Sequence, residues 1–511
     1  MSDKPEILYN SIMFNSECLN KPNDFEHIEY LENPPEIIDV SVGRQLFVDD
    51  FLIENTDLTF EYHKAKKYEN NPVFKAETPW EIADSNVACP KSGGVWYDEE
   101  EHIFKMWYEA GWLGQMCYAV SNDGIRWERP NLHLEENTNK ILLYKFEKDK
   151  LCGDTEYLRP DSTTFFIDYN APKNEKYKMF LRNPGDKHPG VVAVSEDGIN
   201  FRDFTQTSML FDRSTVFYNP FRKKWVYSIR EVKKTELGWD RFRLYRECDN
   251  LLNGAKWQED EAHLWMYTDE RDKPLTGIEM QPQLYNVDVI AYESIMLGMF
   301  QILYGPENAI CERTGTPKIT ELMPMFSRNG YNFSRPCRES IISVDKNNWD
   351  RGYIQSVGGV TIINGDELWI YYSAFSGDNS SVTNEWYKNG MYKNGAVGLA
   401  VLRRDGFVSV NGNGTLTTRK LTVSGKTELH INMDGKAKVC VCDENGKLIA
   451  CSETFEGNST NAKIEFKNFD ITKLNNSVFR LQFVIEGKLY SFGFSDKNGD
   501  FRGAHAAGIV K

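Results

Sequence analysis

The chain has 511 residues and a formal net charge of -15 at pH 7, and 13% of its residues are aromatic. The acidic balance, without a dense basic stretch, argues against a nucleic-acid partner. No apolar run approaches the ~20 residues that a membrane span requires, and the polar start shows no signal peptide. The ten cysteines contain no Cys-x-x-Cys pair, so we expect reduced cysteines in a cytoplasmic protein.

The beginning of the chain differs from the rest in its polarity and its hydrophobic pattern. Residues 1–42 are polar, show no hydrophobic periodicity and contain Asn33-Pro34-Pro35, so they predict an N-terminal arm. A first β-strand is expected between Gly43 and Ile53 because apolar residues become frequent there.

A short motif then returns five times. It has the form Ser-x-Asp/Asn-Gly-x-x-aromatic, as in Ser121-Asn122-Asp123-Gly124-Ile125-Arg126-Trp127, and two copies are degraded or shortened. Each copy follows an apolar strand, and Asp-Gly is typical of a hairpin turn because glycine tolerates φ > 0. The recurrence predicts an all-β fold, most simply a five-bladed β-propeller over residues 43–411. The glycines of the five copies are Gly124, Gly198, Gly254, Gly330 and Gly406.

After about residue 412 the pattern changes again. Short segments alternate between apolar and polar residues, as in Leu421 to Val423 and Phe479 to Phe483, and polar turns separate them. Such closely spaced strands predict a C-terminal β-sandwich over residues 412–511.

Carboxylates are expected where the first strands of the blades begin, because these strand starts surround one end of the central channel. Asp161 and Asp212 take equivalent positions in adjacent blades, and Asp288 lies two residues further along its strand. Neighbouring blade starts are ~5–10 Å apart, which spans the separation of the paired carboxylates in glycoside hydrolases. Crowding of two acids would raise one pKa and leave a protonated acid beside an ionised base. The alternative is that each aspartate only caps a turn.

Further acids are candidates for a third catalytic carboxylate. Glu231 follows the end of a second strand, and Glu109 ends another, whereas Glu293 falls in a turn expected at the far end of its blade. Asp84 precedes the first blade and is a candidate base, with a loop role as the alternative. The predicted catalytic set is Asp161, Asp212, Asp288, Glu231 and Glu293.

Side chains that contact substrate are expected beside these acids. Arginines suit bidentate recognition of anionic groups, with ion pairs to the aspartates as the alternative. Aromatic side chains would stack on a sugar ring, with core packing as the alternative. No residue spacing indicates a metal site or a cofactor, and an ion in the central channel stays an open alternative. The candidates for substrate contact are Asp84, Trp112, His188, Arg213, Arg230, Tyr285, Arg335 and Gln355.

Three features together resemble the five-bladed propeller glycoside hydrolases of families 32 and 43, which cleave fructofuranosides, arabinofuranosides and xylosides. They are Asn71-Pro72-Val73 before the first blade, the stretch Tyr118-Ala119-Val120-Ser121-Asn122-Asp123-Gly124-Ile125-Arg126-Trp127, and the C-terminal β-sandwich. Three longer stretches also resemble a group of bacterial proteins classed as glycosidases. These stretches are Gln45-Leu46-Phe47-Val48-Asp49-Asp50, Asp212-Arg213-Ser214-Thr215-Val216-Phe217-Tyr218-Asn219-Pro220-Phe221-Arg222, and Gln283-Leu284-Tyr285-Asn286 through Tyr292-Glu293-Ser294.

The resemblance implies three acids at three blade starts. One would be a base or nucleophile, one an aspartate that stabilises the transition state, and one a glutamate that donates a proton. Asp161 and Asp212 match these positions, whereas Lys91-Ser92-Gly93 stands where the first blade would carry its aspartate.

The predicted function is hydrolysis of a terminal glycosidic bond of an oligosaccharide by paired carboxylates at the propeller mouth. A glycoside phosphorylase on the same fold is a second hypothesis, because it needs one acid and a basic pocket for phosphate. A non-catalytic carbohydrate-binding propeller is a third, favoured if the arginines neutralise the rim acids. The expected partner is therefore a carbohydrate, and the sequence predicts no oligomeric state.

Overall fold

The computed structural model describes residues 5–83, 85–141, 158–235, 238–278, 280–377 and 390–511. Strands dominate these ranges, and none of their helices is long and apolar enough to cross a membrane. The α-helices are α1 (Glu29–Glu32), α2 (Pro79–Ile82) and α3 (Asn308–Thr314). Short 3-10 helices cover Ser16–Asn20, Lys173–Glu175, Glu259–Glu261, Gly390–Tyr392 and Ile471–Leu474.

The N-terminal segment pairs with strands of both the propeller and the C-terminal β-sandwich. Its first two strands form a hairpin, the next four pair with C-terminal strands, and the seventh pairs with a blade of the propeller. These strands are β1 (Glu6–Ile7), β2 (Met13–Phe14), β3 (Ile38–Asp39), β4 (Gln45–Leu46), β5 (Ile53–Thr56), β6 (Thr59–Tyr62) and β7 (Lys66–Lys67).

Five antiparallel sheets come next in chain order, and they confirm the predicted five-bladed propeller. Blade one contains β8 (Ala88–Asp98), β9 (Ile103–Ala110) and β10 (Gln115–Ser121). Blade two contains β11 (Ser162–Ile167), β12 (Tyr177–Arg182), β13 (His188–Ser195) and β14 (Arg202–Leu210). Blade three contains β15 (Thr215–Asn219), β16 (Lys224–Thr235), β17 (Gly238–Cys248) and β18 (His263–Met266). Blade four contains β19 (Gln283–Glu293), β20 (Ile295–Gly305) and β21 (Ile319–Ser327). Blade five contains β22 (Gly352–Ser356), β23 (Ile362–Asn364), β24 (Glu367–Phe375) and β25 (Gly395–Arg403).

The full copies of the repeated motif close a turn and pack against the adjacent blade. Ser121 Oγ accepts from the Gly124 N–H at 2.8 Å, so the side chain closes the turn. Gly124 has φ +72°, and a Cβ there would lie 2.6 Å from the Tyr371 hydroxyl of blade five. In the next copy, a Cβ on Gly198 would meet the Trp107 ring of blade one. Glycine is therefore required both by the turn and by close packing against the adjacent blade.

The N-terminal strand β7 closes the ring. It pairs antiparallel with β25 of blade five, with Lys67 opposite Ala400 and Lys66 opposite Val401. The last blade therefore takes its outer strand from a segment that precedes the first blade, which joins the two ends of the propeller. This closure protects an outer edge that would otherwise be left unpaired.

The C-terminal β-sandwich is built around two long paired strands, β28 and β31. The expectation that all cysteines are reduced is wrong for one pair, since Cys440 and Cys451 face each other on adjacent strands and form a disulfide. Scattered spacing could not reveal this pair, because cross-strand register brings them together. The strands are β26 (Val408–Thr418), β27 (Leu421–Thr422), β28 (Glu428–Asp443), β29 (Leu448–Cys451), β30 (Phe455–Lys463) and β31 (Phe479–Ser495).

The last residues return to the propeller. Strand β32 (Ala504–His505) pairs with the end of β19, and β33 (Ile509–Val510) pairs with β23. The Tyr97 N–H of blade one donates to the Ala507 carbonyl at 2.9 Å. The tail therefore joins blades one, four and five at the end of the channel opposite the inner-strand starts. Strand pairing thus crosses the predicted limits in both directions, since residues 45–62 join the sandwich and residues 504–510 join the propeller.

Candidate active site

Polar side chains from the inner strands of blades one, four and five meet inside the channel. We call the end of the channel where these strands begin the mouth. Ser92 Oγ of blade one donates to Asp288 Oδ2 of blade four at 3.1 Å. Asn286 Nδ2 donates to the same oxygen at 2.8 Å, and Ser356 of blade five also donates to it. Gln355 Nε2 donates to Ser92 Oγ at 3.1 Å. These hydrogen bonds join the inner strands of blades one, four and five.

Asp288 is the carboxyl group at the centre of this cluster. Burial raises the pKa of Asp288 to about 6, although the hydroxyls of Ser356 and Ser92 and the charge of Arg243 act in the opposite direction. The side chain is 4% exposed. Because three donors share one of its oxygens, Asp288 mainly connects the inner strands of blades one, four and five.

A second carboxylate lies beside a tryptophan at the end of β9. Glu109 forms a buried ion pair with Lys91, whose Nζ lies 4.1 Å above the Trp112 ring. Trp112 also stacks on Tyr392, with ring centroids 3.7 Å apart. Burial raises the pKa of Glu109, against the effect of Lys91, and burial lowers the pKa of Lys91, against the effect of Glu109. Since Lys91 and Tyr392 cover the indole, a sugar ring would have to displace one of them to stack on Trp112.

Asp161 lies at the start of blade two between two arginines. Arg182 Nη1 donates to Asp161 Oδ2 at 3.1 Å, and Arg213 Nη1 donates to the Asp161 carbonyl at the same distance. The Arg213 guanidinium lies 5.8 Å from the centre of the Trp112 ring, so it bridges the region between Asp161 and the tryptophan. Its Nε and the Trp112 indole N–H are buried without a hydrogen-bond partner in the described part of the chain.

Tyrosines from blades four and five complete the mouth. Lys318 Nζ donates to the Tyr285 hydroxyl at 2.9 Å and to the Tyr392 hydroxyl at 3.0 Å. Burial alone would raise the pKa of Tyr285, but Lys318, Arg213 and Arg241 outweigh it and lower that pKa to about 6. Tyr353 packs edge-on against Tyr285 at 5.7 Å between ring centroids.

The rim of the mouth carries the other predicted residues. Asp212 forms an ion pair with Arg230, and Glu231 forms one with the half-exposed Lys187. His188 lies at the start of β13, with Nδ1 2.8 Å from the Pro189 carbonyl. A cavity of about 490 Å³ opens beside them. Its lining includes Gly185, Asp186, Asp212, Arg230, Arg241 and Gln283.

Three residues near the first part of an inner strand have a positive φ. Lys91, Arg213 and Tyr353 have φ values of 47°, 60° and 30°, in a region that side-chain-bearing residues rarely occupy. Each lies at or just before an inner strand and contributes its side chain to the mouth. Such strain often persists at functional sites because the surrounding structure holds it there.

Two predicted residues do not join this group. Glu293 lies at the opposite end of β19, where it pairs with Arg44 and Arg404. Arg335 is fully buried in an ion pair with Asp272 and lies 3.6 Å over the Phe300 ring. Its guanidinium is therefore occupied inside blade four and cannot contact a substrate. Asp84 lies outside the described residues.

Sequence reasoning missed Lys318, Tyr353 and Tyr392 and treated Lys91 only as a departure from a pattern. Lys318 precedes a third strand, and Tyr392 lies in the 3-10 helix Gly390–Tyr392, so neither occupies the strand starts that the repeat located. Lys91 had a signal, because it stands where an acid was expected. Among the described residues, no group of three or more His, Cys, Asp or Glu side chains could hold a metal ion.

Comparisons with known proteins concern the fold. No protein-family model matches the chain, and no curated protein matches it. Its structural neighbours include glycoside hydrolases of families 32 and 43. A thermostable family-43 glycoside hydrolase is 14% identical, with 65% of this chain and 97% of that chain covered and a TM-score of 0.41. A family-32 β-fructofuranosidase from Bombyx mori is 11% identical, with 86% and 94% covered and a TM-score of 0.38.

Another neighbour is not described as a hydrolase. An N-acetylgalactosamine deacetylase from F. plautii, in complex with blood group B trisaccharide, is 13% identical. The alignment covers 68% of this chain and 95% of that chain, with a TM-score of 0.42. At these TM-scores the likenesses carry no argument about activity, and the propeller is established by the sheets of this chain.

Proposed function

We propose that this protein cleaves a glycosidic bond at the propeller mouth, with hydrolysis as the reaction. The observation that carries the proposal is Glu109, a buried carboxyl with a raised pKa that lies beside Lys91 and Trp112 at the mouth. Burial favours the protonated form of this carboxyl, and a protonated carboxyl can donate its proton to the leaving oxygen of a sugar.

Asp161 supplies the negative charge of this proposed site. Cleavage of a glycosidic bond passes through a positively charged, oxocarbenium-like transition state. Asp161 is positioned for electrostatic stabilisation because Arg182 and Arg213 hold it at the start of blade two. Asp212 and Arg230 line the neighbouring cavity, where they would contact the rest of the oligosaccharide.

Replacing the proton donor tests this assignment. We expect Glu109→Gln to lower kcat/KM about 10²–10⁴-fold on glycosides with poor leaving groups. The loss should be much smaller on dinitrophenyl glycosides, because a good leaving group departs without a proton. Glu247→Gln is the matched control, since Glu247 is an ion-paired glutamate that contacts Arg222 beside the turn after β15. Thermal unfolding of both variants would separate loss of catalysis from loss of folding.

The leaving-group dependence decides the role of Glu109. An equal loss on good and poor leaving groups would contradict proton donation by Glu109. Full activity of the variant on all substrates would remove Glu109 from the site altogether.

Phosphorolysis is a second candidate function, favoured by the buried cations Lys91, Arg213 and Lys318. Lys91 pairs with Glu109 and Arg213 lies near Asp161, whereas Lys318 donates to the Tyr285 hydroxyl. Inorganic phosphate would then attack the sugar in place of water. Product formation from oligosaccharides that requires phosphate and yields a sugar phosphate would replace hydrolysis with this reaction.

A carbohydrate-binding propeller without catalysis is favoured by a different observation. Asp161 and Asp212 each contact an arginine, which is the arrangement expected if the rim acids are neutralised. Calorimetric binding of an oligosaccharide that is never turned over, with and without phosphate, would favour this function over both reactions.

A further inference from the structure

Lys318 is a buried cation whose ammonium group has two tyrosine hydroxyls as hydrogen-bond partners in the described chain. It is 1% exposed, and its Nζ donates to the hydroxyls of Tyr285 and Tyr392. No carboxylate lies within ion-pair distance of it among the residues that the structure describes. Because an unpaired buried ammonium is costly, either the lysine is neutral or one of the two phenols is ionised.

Tyr285 is the phenol that its surroundings favour in the ionised form. Three cations approach its ring, with Lys318 Nζ 4.9 Å, the Arg241 guanidinium 5.8 Å and the Arg213 guanidinium 6.0 Å from the centroid. Burial raises the pKa of both Tyr353 and Tyr392 well above 10, whereas that of Tyr285 is lowered.

The remaining neighbours of Tyr285 do not supply a competing negative charge. Arg243 Nη2 donates to the Tyr285 backbone carbonyl at 2.8 Å. The Tyr353 hydroxyl donates to Gln355 Oε1 at 2.9 Å, and the buried Cys311 thiol near Lys318 has a pKa raised to about 11 by burial. The groups that face Tyr285 are therefore cationic or neutral.

Charge balance points to the same residue. Lys91 pairs with Glu109, and Arg213 lies 3.8 Å from Asp161. An ionised Tyr285 would give Lys318 an anionic partner, as Asp161 is the anionic partner of Arg213. All three pairs lie around Trp112 and Tyr392 at the mouth.

We propose that Tyr285 is the base of this site and acts as a phenolate paired with the Lys318 ammonium. This inference rests on the proposed hydrolytic function, in which Asp161 is held by arginines and Glu109 carries the proton. The Tyr285 oxygen takes a proton from water, and the water oxygen forms a bond to the anomeric carbon. The glycosidic C–O bond breaks, and its oxygen takes the proton of Glu109. The cycle closes when Tyr285 returns a proton to solvent and Glu109 regains one.

A spectroscopic titration tests the phenolate without any substrate. Tyrosinate absorbs in the near ultraviolet where tyrosine does not, so a pH difference spectrum counts ionised tyrosines. We expect the wild-type protein to gain one tyrosinate with a midpoint near pH 6, and Tyr285→Phe to lose that transition. Tyr227→Phe is the matched control, because Tyr227 is buried in blade three and donates to the Leu251 carbonyl away from the mouth. It should keep the transition.

Replacing the cation provides the second arm of the titration. Lys318→Met keeps the length and apolar packing of the side chain but removes its charge, so the midpoint should move upward by at least 2 pH units. A wild-type spectrum without a transition between pH 5 and 8 would overturn the proposal. A transition that survives in Tyr285→Phe would overturn it equally.

Kinetics test the role of the phenolate as a base. We expect Tyr285→Phe to lower kcat at least 100-fold with little change in KM, and to abolish the rise of kcat/KM through about pH 6. An unchanged pH profile in this variant would refute the base role even if the phenolate is present. Absence of turnover by the wild type would overturn the proposed function and the base role, while the titration would still decide whether Tyr285 ionises.

Discussion

The two ends of the propeller channel both bury charged side chains, but they balance them differently. At the end opposite the mouth, Arg44 and Arg404 are matched by Glu293 and Asp405. At the mouth, the buried cations Lys91, Arg182, Arg213, Arg243 and Lys318 outnumber the carboxyl groups of Glu109, Asp161 and Asp288. Equal numbers of opposite charges form a complete structural network at the far end. The excess of cations at the mouth leaves room for an additional anionic partner.

The far-end network also joins separate parts of the chain. Arg44 Nη1 donates to Asp405 Oδ2 at 3.2 Å and to the Thr460 carbonyl at 2.6 Å. Ser491 Oγ donates to Asp405 at 2.6 Å, and the Tyr292 hydroxyl donates to its other oxygen. Asp405 therefore links the N-terminal segment, blade four and the sandwich. Asp405 belongs to the shortened fifth copy of the repeated motif, so this copy also connects separate parts of the chain.

The largest expected effect on stability is at this far end. Asp405→Ala should lower the free energy of unfolding by about 3–5 kcal/mol, because it leaves Arg44 buried without this partner. Urea unfolding measures the loss. The control is Asp434→Ala, an exposed aspartate of the same sandwich, which should stay within about 0.5 kcal/mol of the wild type. A loss below about 1 kcal/mol for Asp405→Ala would contradict a structural role for the charge network at the far end.

A smaller effect of opposite sign is expected at the mouth. The folded-state pKa of Asp288 is about 6, above the ~3.9 of an unfolded aspartate. The folded protein therefore holds this proton more tightly, so the stabilisation is complete below pH 3.9 and is lost as pH rises through 6. Asp288→Asn stays neutral and should be more stable than the wild type at pH 8, by on the order of 2 kcal/mol.

The pH dependence is the diagnostic for Asp288. Urea unfolding of Asp288→Asn and the wild type should differ least near pH 4 and most near pH 8. If Asp288→Asn is less stable than the wild type at both pH 4 and pH 8, the Asp288 carboxylate is a stabilising structural charge, like those at the far end.

The smallest effect is expected at the rim. Lys187 pairs with Glu231, but its side chain is 40% exposed. Solvent screens such a pair, so Lys187→Met should change the free energy of unfolding by less than about 1 kcal/mol. Thermal unfolding at low and high salt measures it. A larger loss that disappears at high salt would show that the rim belongs to a wider charge network.

The repeated motif made the fold predictable because its chemistry is local. A hydroxyl, an acidic or amide side chain and a glycine close one turn within five residues, so Ser121, Asp123 and Gly124 identify a hairpin wherever they recur. Counting these turns located the strand starts, and the starts located Asp161, Asp212 and Asp288. The same local logic separated the sandwich from the propeller.

The composition of the mouth was less predictable because its charges come from distant segments. Lys318 and Tyr285 are 33 positions apart, and Lys318 and Tyr392 are 74 apart. No periodicity connects them, since blade packing and not strand register brings them together. The arginine partners of Asp161 and Asp212 were anticipated only as an alternative to substrate contact.

The amino-acid sequence by itself determined the five blades and the C-terminal sandwich, because turns and alternating strands are encoded by neighbouring residues. Only the tertiary structure decided which charges meet. It paired Glu293 and Asp405 with arginines at the far end, and it brought Lys318 against Tyr285 at the mouth. The physical reason is that burial and long-range contact set the balance of charge, and both arise only when separate blades pack together.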